Sequence, residues 1–302
     1  MKKVLILVSK KGEKKEDFTD LLNKYFKEGV EATLATFSDL FFEIRNGGVD
    51  VEIDGKKVSD YDLVYLRNTN GFQTMALAIS VYLESAGIEF FDKAFWQGSF
   101  IGDKFTSLLR LAVNDVSVPD SIYCSGGSIE KYRQKIAEKL SFPLIAKGLF
   151  SQRMSSIYVI KNESDFERIP KTNKDGKKLT YIFQKLIDID KEYRLLVLEN
   201  RVGVVHTKTK RDISNIKINY ADMNQYPVFL DLQGINPSIK DAAVKAANAV
   251  NIQIAGVDVC VEKGTGDIFV LEVNRGPGLE YDTDVSQEVP EIAKFFKNKL
   301  HR

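Results

Sequence analysis

The chain has 302 residues, which is enough to bury a large core and to form two or three domains. Its 43 lysines and arginines nearly balance its 42 aspartates and glutamates, so the net charge of +1 predicts no general attraction to nucleic acid or membranes. The hydrophobic fraction of 44% excludes long disorder. Two cysteines are too few for a disulfide framework and favour a reducing, cytoplasmic location.

The first hundred residues alternate between strand and helix patterns. The apolar run from Val4 to Val8 is too short for the core of a signal peptide and predicts a buried first strand. Spacing and turn residues then predict a helix over 18–26, a strand over 30–37, a hairpin over 49–58 around Asp54 and Gly55, a strand over 63–66, a helix over 75–86 and a strand over 88–91. This order predicts a parallel sheet covered by helices, in a first domain that ends near Ser99.

The remaining two hundred residues predict a central domain over 100–186 and a C-terminal domain over 187–302. The central part contains a helix over 103–113 capped by Asp103, a helix over 129–140 capped by Ser128, and strands over 142–147, 157–160 and 181–187. The last part contains two antiparallel hairpins, over 193–207 and 254–273, and helices over 239–250 and 289–300.

Two acidic residues interrupt the apolar strands of the last hairpin. Asp258 and Glu272 lie on neighbouring predicted strands, where buried carboxylates would repel each other unless a cation lay between them. Asn274 follows Glu272 by two residues and therefore points to the same face. Two carboxylates and an amide oxygen are ligands suited to Mg²⁺. The pattern predicts a metal site at these three residues, and the alternative is an exposed strand face with ordinary surface acids.

These residues resemble the C-terminal signature of the ATP-grasp superfamily. The match consists of Asp258, the run Glu272-Val273-Asn274 and the pair Pro277-Gly278, and it is most similar to the ribosomal-protein glutamate ligases and related amino-acid ligases. The resemblance implies an α/β fold of ATP-grasp architecture, α+β in its C-terminal half, with an N-terminal Rossmann-like domain. It also implies ATP bound between the central and C-terminal domains, with Mg²⁺ or alternatively Mn²⁺ bridging its phosphates.

The same resemblance implies roles for residues earlier in the chain. Lys104, at the start of a helix, and Lys147, at the end of a strand, would bind the nucleotide phosphates. The hinge between the domains would pair its backbone with the adenine edge, and Glu192 would accept hydrogen bonds from the ribose. The full set of implied ATP-binding residues is Lys104, Lys147, Arg153, Gln184, Lys185, Leu186, Ile187, Glu192, Ser214 and Asn215.

Three basic residues are candidates for catalysis. Arg194 is either a catalytic group or the neutralising partner of Glu192, and the sequence favours neither interpretation. Lys208 and Arg211 belong to a basic strand end that either stabilises an acyl-phosphate or binds an acidic acceptor, with a solvated turn as the alternative. Arg67, which follows an apolar strand of the first domain, is placed to reach the same cleft.

The implied activity is ATP- and Mg²⁺-dependent ligation of a carboxylate to an amine through an acyl-phosphate. The substrates would be a small-molecule or peptide carboxylate and an amine or amino acid, with no nucleic-acid or membrane partner, and a homo-oligomer is left open. One segment departs from the family, because the loop over 148–156 has a single glycine, Gly148, where several are usual. This departure keeps two alternatives open: an ATP-binding regulatory or scaffold protein without ligase turnover, and a small-molecule kinase on the same fold.

Overall fold

A computed structural model describes residues 1–97, 104–149, 157–208 and 227–301. The elements of its N-terminal part are β1 (Lys2–Val8), α1 (Glu13–Phe26), β2 (Val30–Thr36), β3 (Leu40–Arg45), β4 (Gly48–Ile53), β5 (Lys56–Lys57), β6 (Leu63–Asn68), α2 (Gln73–Ser85) and β7 (Glu89–Phe91). Four of the strands form a sheet in the order β2-β1-β6-β7, and all of its pairings are parallel. The predicted parallel sheet is therefore confirmed. In the described ranges, no helix is both long and apolar enough to cross a membrane.

Strand β1 is apolar throughout because its side chains alternate between two cores. Val4, Ile6 and Val8 pack in the cluster that contains residues of α1, whereas Leu5 and Leu7 pack in the cluster that contains residues of α2. A strand covered on both faces loses the polar alternation of a half-exposed strand. The short apolar run in the sequence reflects this position at the centre of the sheet.

A small antiparallel sheet, β3-β4-β5, is attached to the parallel sheet. The turn predicted at Asp54 and Gly55 joins β4 to β5, and both residues have positive φ angles, of 48° and 73°. Strand β3 was not predicted. Its run contains Phe41, which is exposed, between half-buried Leu40 and Phe42. Apolar residues on both faces of β3 remove the period of two that identifies a strand in the sequence.

The central part contains α3 (Lys104–Val113), β8 (Ser121–Ser125), α4 (Ile129–Leu140), β9 (Leu144–Gly148), β10 (Ile157–Ile160) and β11 (Thr180–Lys185). Its sheet has the order β10-β9-β11-β8, with antiparallel pairings. The predicted cap of α4 is only partly right, because the Ser128 hydroxyl accepts a hydrogen bond from Ser125 Oγ (3.0 Å) and makes no side-chain cap bond to the helix backbone. Asp103, the predicted cap of α3, lies outside the described residues.

The C-terminal part contains β12 (Ile189–Leu198), β13 (Arg201–Thr207), β14 (Val228–Leu230), α5 (Pro237–Ala249), β15 (Ile254–Glu262), β16 (Ile268–Arg275) and α6 (Glu288–Leu300). Its five strands form an antiparallel sheet in the order β14-β13-β12-β15-β16, which confirms both predicted hairpins. One face of this sheet packs against α5, whose Ile239, Ala243 and Ala246 are buried. The side chain of Asn236 accepts a hydrogen bond from Ser238 N (3.0 Å) and caps α5 at its N-terminus.

Helix α6 lies in a core that the first and last sheets share. Its rings contact those of the parallel sheet: Phe296 lies 5.8 Å from Tyr65, and Phe295 lies 5.1 Å from Phe91, between ring centroids. The same cluster contains Leu196 of β12. The division into domains over 1–99, 100–186 and 187–302 remains a prediction, and this shared core shows that the first and last of these segments pack directly on each other.

Candidate functional site

Asp258 lies near the centre of the five-stranded sheet and is 1% exposed. It is in register with Arg194 on β12 and with Glu272 on β16, so three charged side chains lie side by side across neighbouring strands. Arg194 forms a bidentate pair with the Asp258 carboxylate, with Nε at 2.7 Å from Oδ1 and Nη2 at 2.9 Å from Oδ2. The sequence left Arg194 open as a partner of Glu192, and the structure corrects this interpretation by pairing it with Asp258.

Lys208 joins Asp258 to Glu192 at the end of β13. Its Nζ donates to Asp258 Oδ2 at 2.7 Å and lies 3.2 Å from Glu192 Oε1. Its backbone N–H donates to the Glu192 carbonyl at 2.9 Å. The Lys208 side chain is only 15% exposed, so the interpretation as a solvated turn is wrong for this residue. We refer to Glu192, Arg194, Lys208 and Asp258 together as the sheet network.

Charge pairing sets the protonation states in the sheet network. Burial alone would raise the pKa of Asp258, but Lys208 and Arg194 outweigh that effect and hold the pKa of this carboxyl at about 2. Burial likewise opposes the charged form of Arg194, and the adjacent Asp258 nevertheless raises its pKa. His206, the neighbour of Arg194 on β13, has its pKa lowered by burial. The sheet network thus pairs the carboxyl groups of Glu192 and Asp258 with the basic side chains of Arg194 and Lys208.

Glu272 and Asn274 extend this charged region onto β16. Glu272 is half-buried opposite Asp258, and Asn274 lies opposite Gly256. The Nδ2 atom of Asn274 is buried without a hydrogen-bond partner. The repulsion expected between Asp258 and Glu272 is relieved on the Asp258 side by Arg194 and Lys208. In the described ranges, no cluster of three or more His, Cys, Asp and Glu side chains forms a ready metal cage.

The donors on β16 nevertheless fit a hard cation. Glu272 supplies a carboxylate, and Asn274 supplies an amide oxygen beside an amide nitrogen that has no partner in the protein. Asp258 fits less directly, since both of its oxygens already accept hydrogen bonds from Arg194 and Lys208. A cation at the three predicted residues would therefore be held first by Glu272 and Asn274, with a further lone pair of an Asp258 oxygen as an additional ligand while Arg194 and Lys208 remain bound.

The predicted hinge residues lie between β11 of the central four-stranded sheet and β12 of the five-stranded sheet. Gln184 is buried at the end of β11, where its Nε2 donates to Ser121 Oγ at 2.8 Å and its Oε1 has no partner. The Lys185 ammonium lies 3.7 Å from Glu262 Oε1 at the end of β15. Leu186 is half-buried and Ile187 is buried in the segment that leads into β12. These residues occupy the connection between the two sheets, and their role as an adenine-binding hinge remains a prediction.

The remaining predicted ATP-binding residues divide into two groups. Lys104 begins α3, and Lys147 lies in β9 opposite Ile157 and Ile182; both lysines are half-buried. Their roles as phosphate ligands remain predictions. The other predicted ATP-binding residues, Arg153, Ser214 and Asn215, lie outside the described ranges, as does the catalytic candidate Arg211.

The chain that follows Asn274 is held by the carboxyl end of the parallel sheet. Arg67 Nη2 donates to the Pro277 carbonyl at 3.0 Å, and Arg275 Nη2 donates to Thr69 Oγ1 at 2.7 Å. Gly276 has a φ of 54°, and a Cβ atom at this position would lie 1.9 Å from the Arg67 carbonyl oxygen. This close approach requires glycine. The loop that leaves the predicted metal face is thus fixed against the N-terminal sheet.

Sequence reasoning named Arg67 but missed the buried acid Asp92 at this contact. The Asp92 carboxylate accepts hydrogen bonds from the backbone N–H groups of Gln253 (3.1 Å) and Ile254 (3.2 Å), and burial raises its pKa to about 7 against the opposing effect of Arg275. We refer to Tyr65, Arg67, Asp92 and Arg275 as the junction cluster, and each has one buried polar atom without a partner. The available signal for Asp92 was positional, since it directly follows the parallel strand β7, and α/β sheets bind ligands at such strand ends.

Comparison with known proteins identifies the family. A family model described as a RimK-like ATP-grasp domain matches residues 101–291. One curated relative, the formate-dependent phosphoribosylglycinamide formyltransferase of Marinobacter nauticus, is 31% identical over 98 residues, which are 32% of this chain. The chain spans only 25% of that relative's length.

Solved structures share the fold over nearly the whole chain. The ATP-grasp ligase PsnB, complexed with a phosphomimetic variant of its minimal precursor, Mg and ADP, has a TM-score of 0.71 at 16% identity over 99% of both chains. D-alanyl-alanine synthetase A from Vibrio cholerae has a TM-score of 0.64 at 13% identity, over 99% of this chain and 98% of that one. Since the family model covers well over half of the sequence, the chain belongs to the RimK-like ATP-grasp family, which confirms the predicted resemblance and the ATP-grasp fold class.

Proposed function

We propose that the chain joins a carboxylate to an amine at the expense of ATP. In the first step, a carboxylate oxygen of the substrate attacks the γ-phosphorus, and the bond to the β,γ-bridging oxygen breaks to give an acyl-phosphate and ADP. In the second step, an amine nitrogen attacks the acyl carbon, loses a proton and expels inorganic phosphate, leaving an amide. The observation that carries the proposal is the alignment of Arg194, Asp258 and Glu272 across three strands, with Lys208 beside them.

The basic side chains of the site suit a reaction in which negative charge develops on the phosphoryl and acyl groups. Arg194 and Lys208 would stabilise the acyl-phosphate and the transition states on either side of it, because fixed cations in a buried site interact strongly with developing charge. Both side chains are fixed in position because each forms an ion pair with Asp258. Lys104 and Lys147 would bind phosphate oxygens. Arg153, Arg211, Ser214 and Asn215 would complete the phosphate end and the acceptor side.

The nucleotide would lie between the four-stranded and five-stranded sheets, which correspond to the proposed domains over 100–186 and 187–302. The hinge residues Gln184, Lys185, Leu186 and Ile187 would bind the adenine, and Glu192 would accept from the ribose. Glu272, Asn274 and Asp258 would hold Mg²⁺, or alternatively Mn²⁺. The metal would supply charge neutralisation at the phosphates. The structure of PsnB with Mg and ADP supports this cofactor set.

The substrates are proposed as a small-molecule or peptide carboxylate and an amine or amino acid. PsnB is complexed with a variant of its minimal precursor, and the enzyme from Vibrio cholerae is a D-alanyl-alanine synthetase. These two neighbours support a peptide or an amino acid as a substrate of this chain. We also propose a cytoplasmic location. Both cysteines, Cys124 and Cys260, are buried and free, which suits a reducing compartment.

The test is ADP formation with a panel of carboxylates and amines in the presence of Mg²⁺, with product identification by mass spectrometry. An amide product that requires both substrates supports the ligase. A stable phosphorylated product would identify a small-molecule kinase instead. Tight ATP binding without ADP formation on any pair would indicate an ATP-binding regulatory or scaffold protein.

A further inference from the structure

Strand β3 is an open edge of the small antiparallel sheet. In the part of the chain that the structure describes, the sheet has the order β3-β4-β5, so β3 has a strand partner on one side only. A two-residue turn closes the β3–β4 hairpin at the pair Arg45–Gly48, and residues that bond to β4 alternate from there with residues whose backbone groups point away. The residues that point away are Leu40, Phe42 and Ile44. Among the described residues, their N–H and C=O groups have no backbone partner outside the hairpin.

The opposite edge of the same sheet is protected against further pairing, whereas β3 is not. Strand β5 has only two residues, Lys56 and Lys57, and both are exposed. Short length and lysine side chains are common ways of blocking a sheet edge. Strand β3 has six residues, contains neither lysine nor proline, and pairs with β4 without a bulge. Its open side can therefore accept a strand from another chain.

Strand β3 also carries large apolar side chains that are exposed. Phe41 is 63% exposed on one face of the strand, and Ile44 is 78% exposed on the other. Leu40 and Phe42 share the face of Ile44 but are half-buried against the core of the N-terminal part. The apolar face thus extends past this core to the end of the hairpin, where Ile44 lies opposite the exposed Val49. Covering these side chains would favour association.

We propose that the chain forms a homodimer in which β3 pairs with β3 of a second copy, antiparallel about a two-fold axis through Phe42. In this register Phe42 meets Phe42, and Leu40 of each copy meets Ile44 of the other, so every open residue gains a partner. A shift by two residues would take one of the three beyond the end of the opposite strand. The exposed Ile44 also comes to lie at the margin of the other copy's core. This dimer adds to the proposed ligase function and does not depend on it.

The side chains on the other face of β3 are complementary in the same register. The two Phe41 rings become diagonal neighbours across the axis, a separation that aromatic side chains can bridge. Arg45, which forms an ion pair with Glu43 of its own chain at the surface, comes next to Asp39 of the other copy. The two-fold axis repeats this contact, so opposite charges meet at both ends of the strand pair. A second copy of the chain therefore matches the edge in apolar pattern and in charge.

The first experiment is sedimentation velocity of the full chain from about 1 to about 300 µM. A single strand pair buries less area than a standard interface, so we expect a dimer with a Kd of about 1–100 µM. A chain that stays monomeric over the whole range would overturn the proposal. In that case the open edge would be left for a peptide strand of another protein.

Two variants at Ile44 test whether β3 is the interface. Ile44→Lys places a charge beside the apolar Leu40 of the other copy, and Ile44→Pro removes an N–H donor from the open side without removing a bond to β4. Each should weaken association by about tenfold or more. Val113→Lys is the matched control, because Val113 is 75% exposed at the end of α3 and should leave the Kd unchanged. An unchanged Kd in Ile44→Lys, or an equal loss in Val113→Lys, would contradict an interface at β3.

Disulfide formation tests the register. The Cα atoms of a hydrogen-bonded antiparallel pair lie about 5.5 Å apart, within reach of a disulfide, whereas diagonal neighbours lie about 7–8 Å apart, beyond it. Under mild oxidation, Phe42→Cys should therefore form a linked dimer faster than Phe41→Cys, although Phe41 is the more exposed residue. The native Cys124 and Cys260 are buried and should not compete.

Faster linkage of Phe41→Cys would indicate random collision and would contradict the register. If Phe42→Cys does not fold, sedimentation of Ile44→Lys decides alone, and association as tight as in the wild type overturns the proposal.

Discussion

The sheet network and the junction cluster bury similar charged groups with opposite consequences. In the sheet network, Asp258 is held by two cations and its pKa is about 2. In the junction cluster, Asp92 is equally buried, but its pKa is raised to about 7 because burial outweighs Arg275 and two backbone N–H groups. The sheet network needs no further partner to bury its carboxylates. The junction cluster leaves a buried donor or acceptor without a hydrogen-bond partner on every member, which is costly in a protein interior.

The largest expected effect comes from breaking the sheet network at its acid. Asp258→Asn leaves Arg194 and Lys208 without their shared counter-charge, and we expect it to destabilise the protein by about 3–5 kcal/mol. The measurement is the free energy of unfolding in urea. Asp50→Asn is the matched control, because Asp50 pairs with Lys57 at 3.2 Å on the surface and should contribute less than about 1 kcal/mol. Equal losses in the two variants would contradict the comparison.

The second effect breaks the contact that holds the junction cluster against the C-terminal sheet. Gly276→Ala places a Cβ atom 1.9 Å from the Arg67 carbonyl oxygen and also requires a positive φ. We expect a loss of about 2–4 kcal/mol in the free energy of unfolding. Gly278→Ala is the control in the same loop, since no atom lies within 4 Å of its Cβ position. A stable Gly276→Ala protein would show that the loop can move away from the N-terminal sheet.

The third effect separates chemistry from stability on the sheet side. Glu272→Gln removes a charge from the proposed cation site but no charge pair of the sheet network. We expect ADP formation to fall about 100-fold, equivalent to about 2.7 kcal/mol, while the free energy of unfolding changes by less than about 1 kcal/mol. Steady-state kinetics over a range of Mg²⁺ concentrations measures the first quantity. Wild-type ADP formation in the variant would exclude Glu272 as a metal ligand.

The smallest effect is a difference in pH dependence between the two acids. The folded pKa of Asp92 lies above its ordinary value of 3.8, so this group disfavours the folded state progressively as the pH rises from about 4 to about 7. Asp258 has a lowered folded pKa, so its contribution is fully present above pH 4 and is lost only as the pH falls towards 2. Between pH 5 and 8, Asp92 is therefore the acid of the pair that changes stability.

Asp92→Asn should accordingly gain about 2 kcal/mol relative to the wild type when the pH is raised from 5 to 8. The measurement is the free energy of unfolding of both proteins at each pH. Parallel curves over this range would show that Asp92 is ionised in the folded protein throughout, and that its free oxygen finds a partner in solution.

The sequence predicted most of the fold because its elements carry local signals. The central strand β1 appears as an apolar run and α5 as a stripe of small apolar residues, and both were recovered. Strand β3 was missed because Phe41 is apolar yet exposed. Ser128 was placed correctly before α4, but its hydroxyl accepts a hydrogen bond from Ser125 Oγ and makes no cap bond to the helix backbone. Side-chain hydrogen bonds of this kind depend on rotamers, which the pattern of residue types along the sequence does not determine.

The site was recovered in part, and the division has a physical reason. Asp258, Glu272 and Asn274 were found together because strand alternation and hairpin pairing are local rules. The partner of Arg194 was not decided, because cross-strand register between β12 and β15 joins residues 64 positions apart. Asp92 of the junction cluster was missed for the same reason on a larger scale, since it accepts a hydrogen bond from Gln253 across 161 positions. Such contacts depend on how whole sheets are placed against one another.

The position of α6 has a consequence for how the chain is made. Phe295 and Phe296 cover Phe91 and Tyr65 of the parallel sheet, and Lys297 Nζ donates to the Tyr25 carbonyl across a sequence separation of 272 residues. A ribosome releases the parallel sheet long before it releases this helix. During that interval, the α1 side of the sheet keeps its aromatic surface open to solvent and to chaperones. The nascent chain therefore reaches its native packing around the first sheet only when synthesis has passed α6.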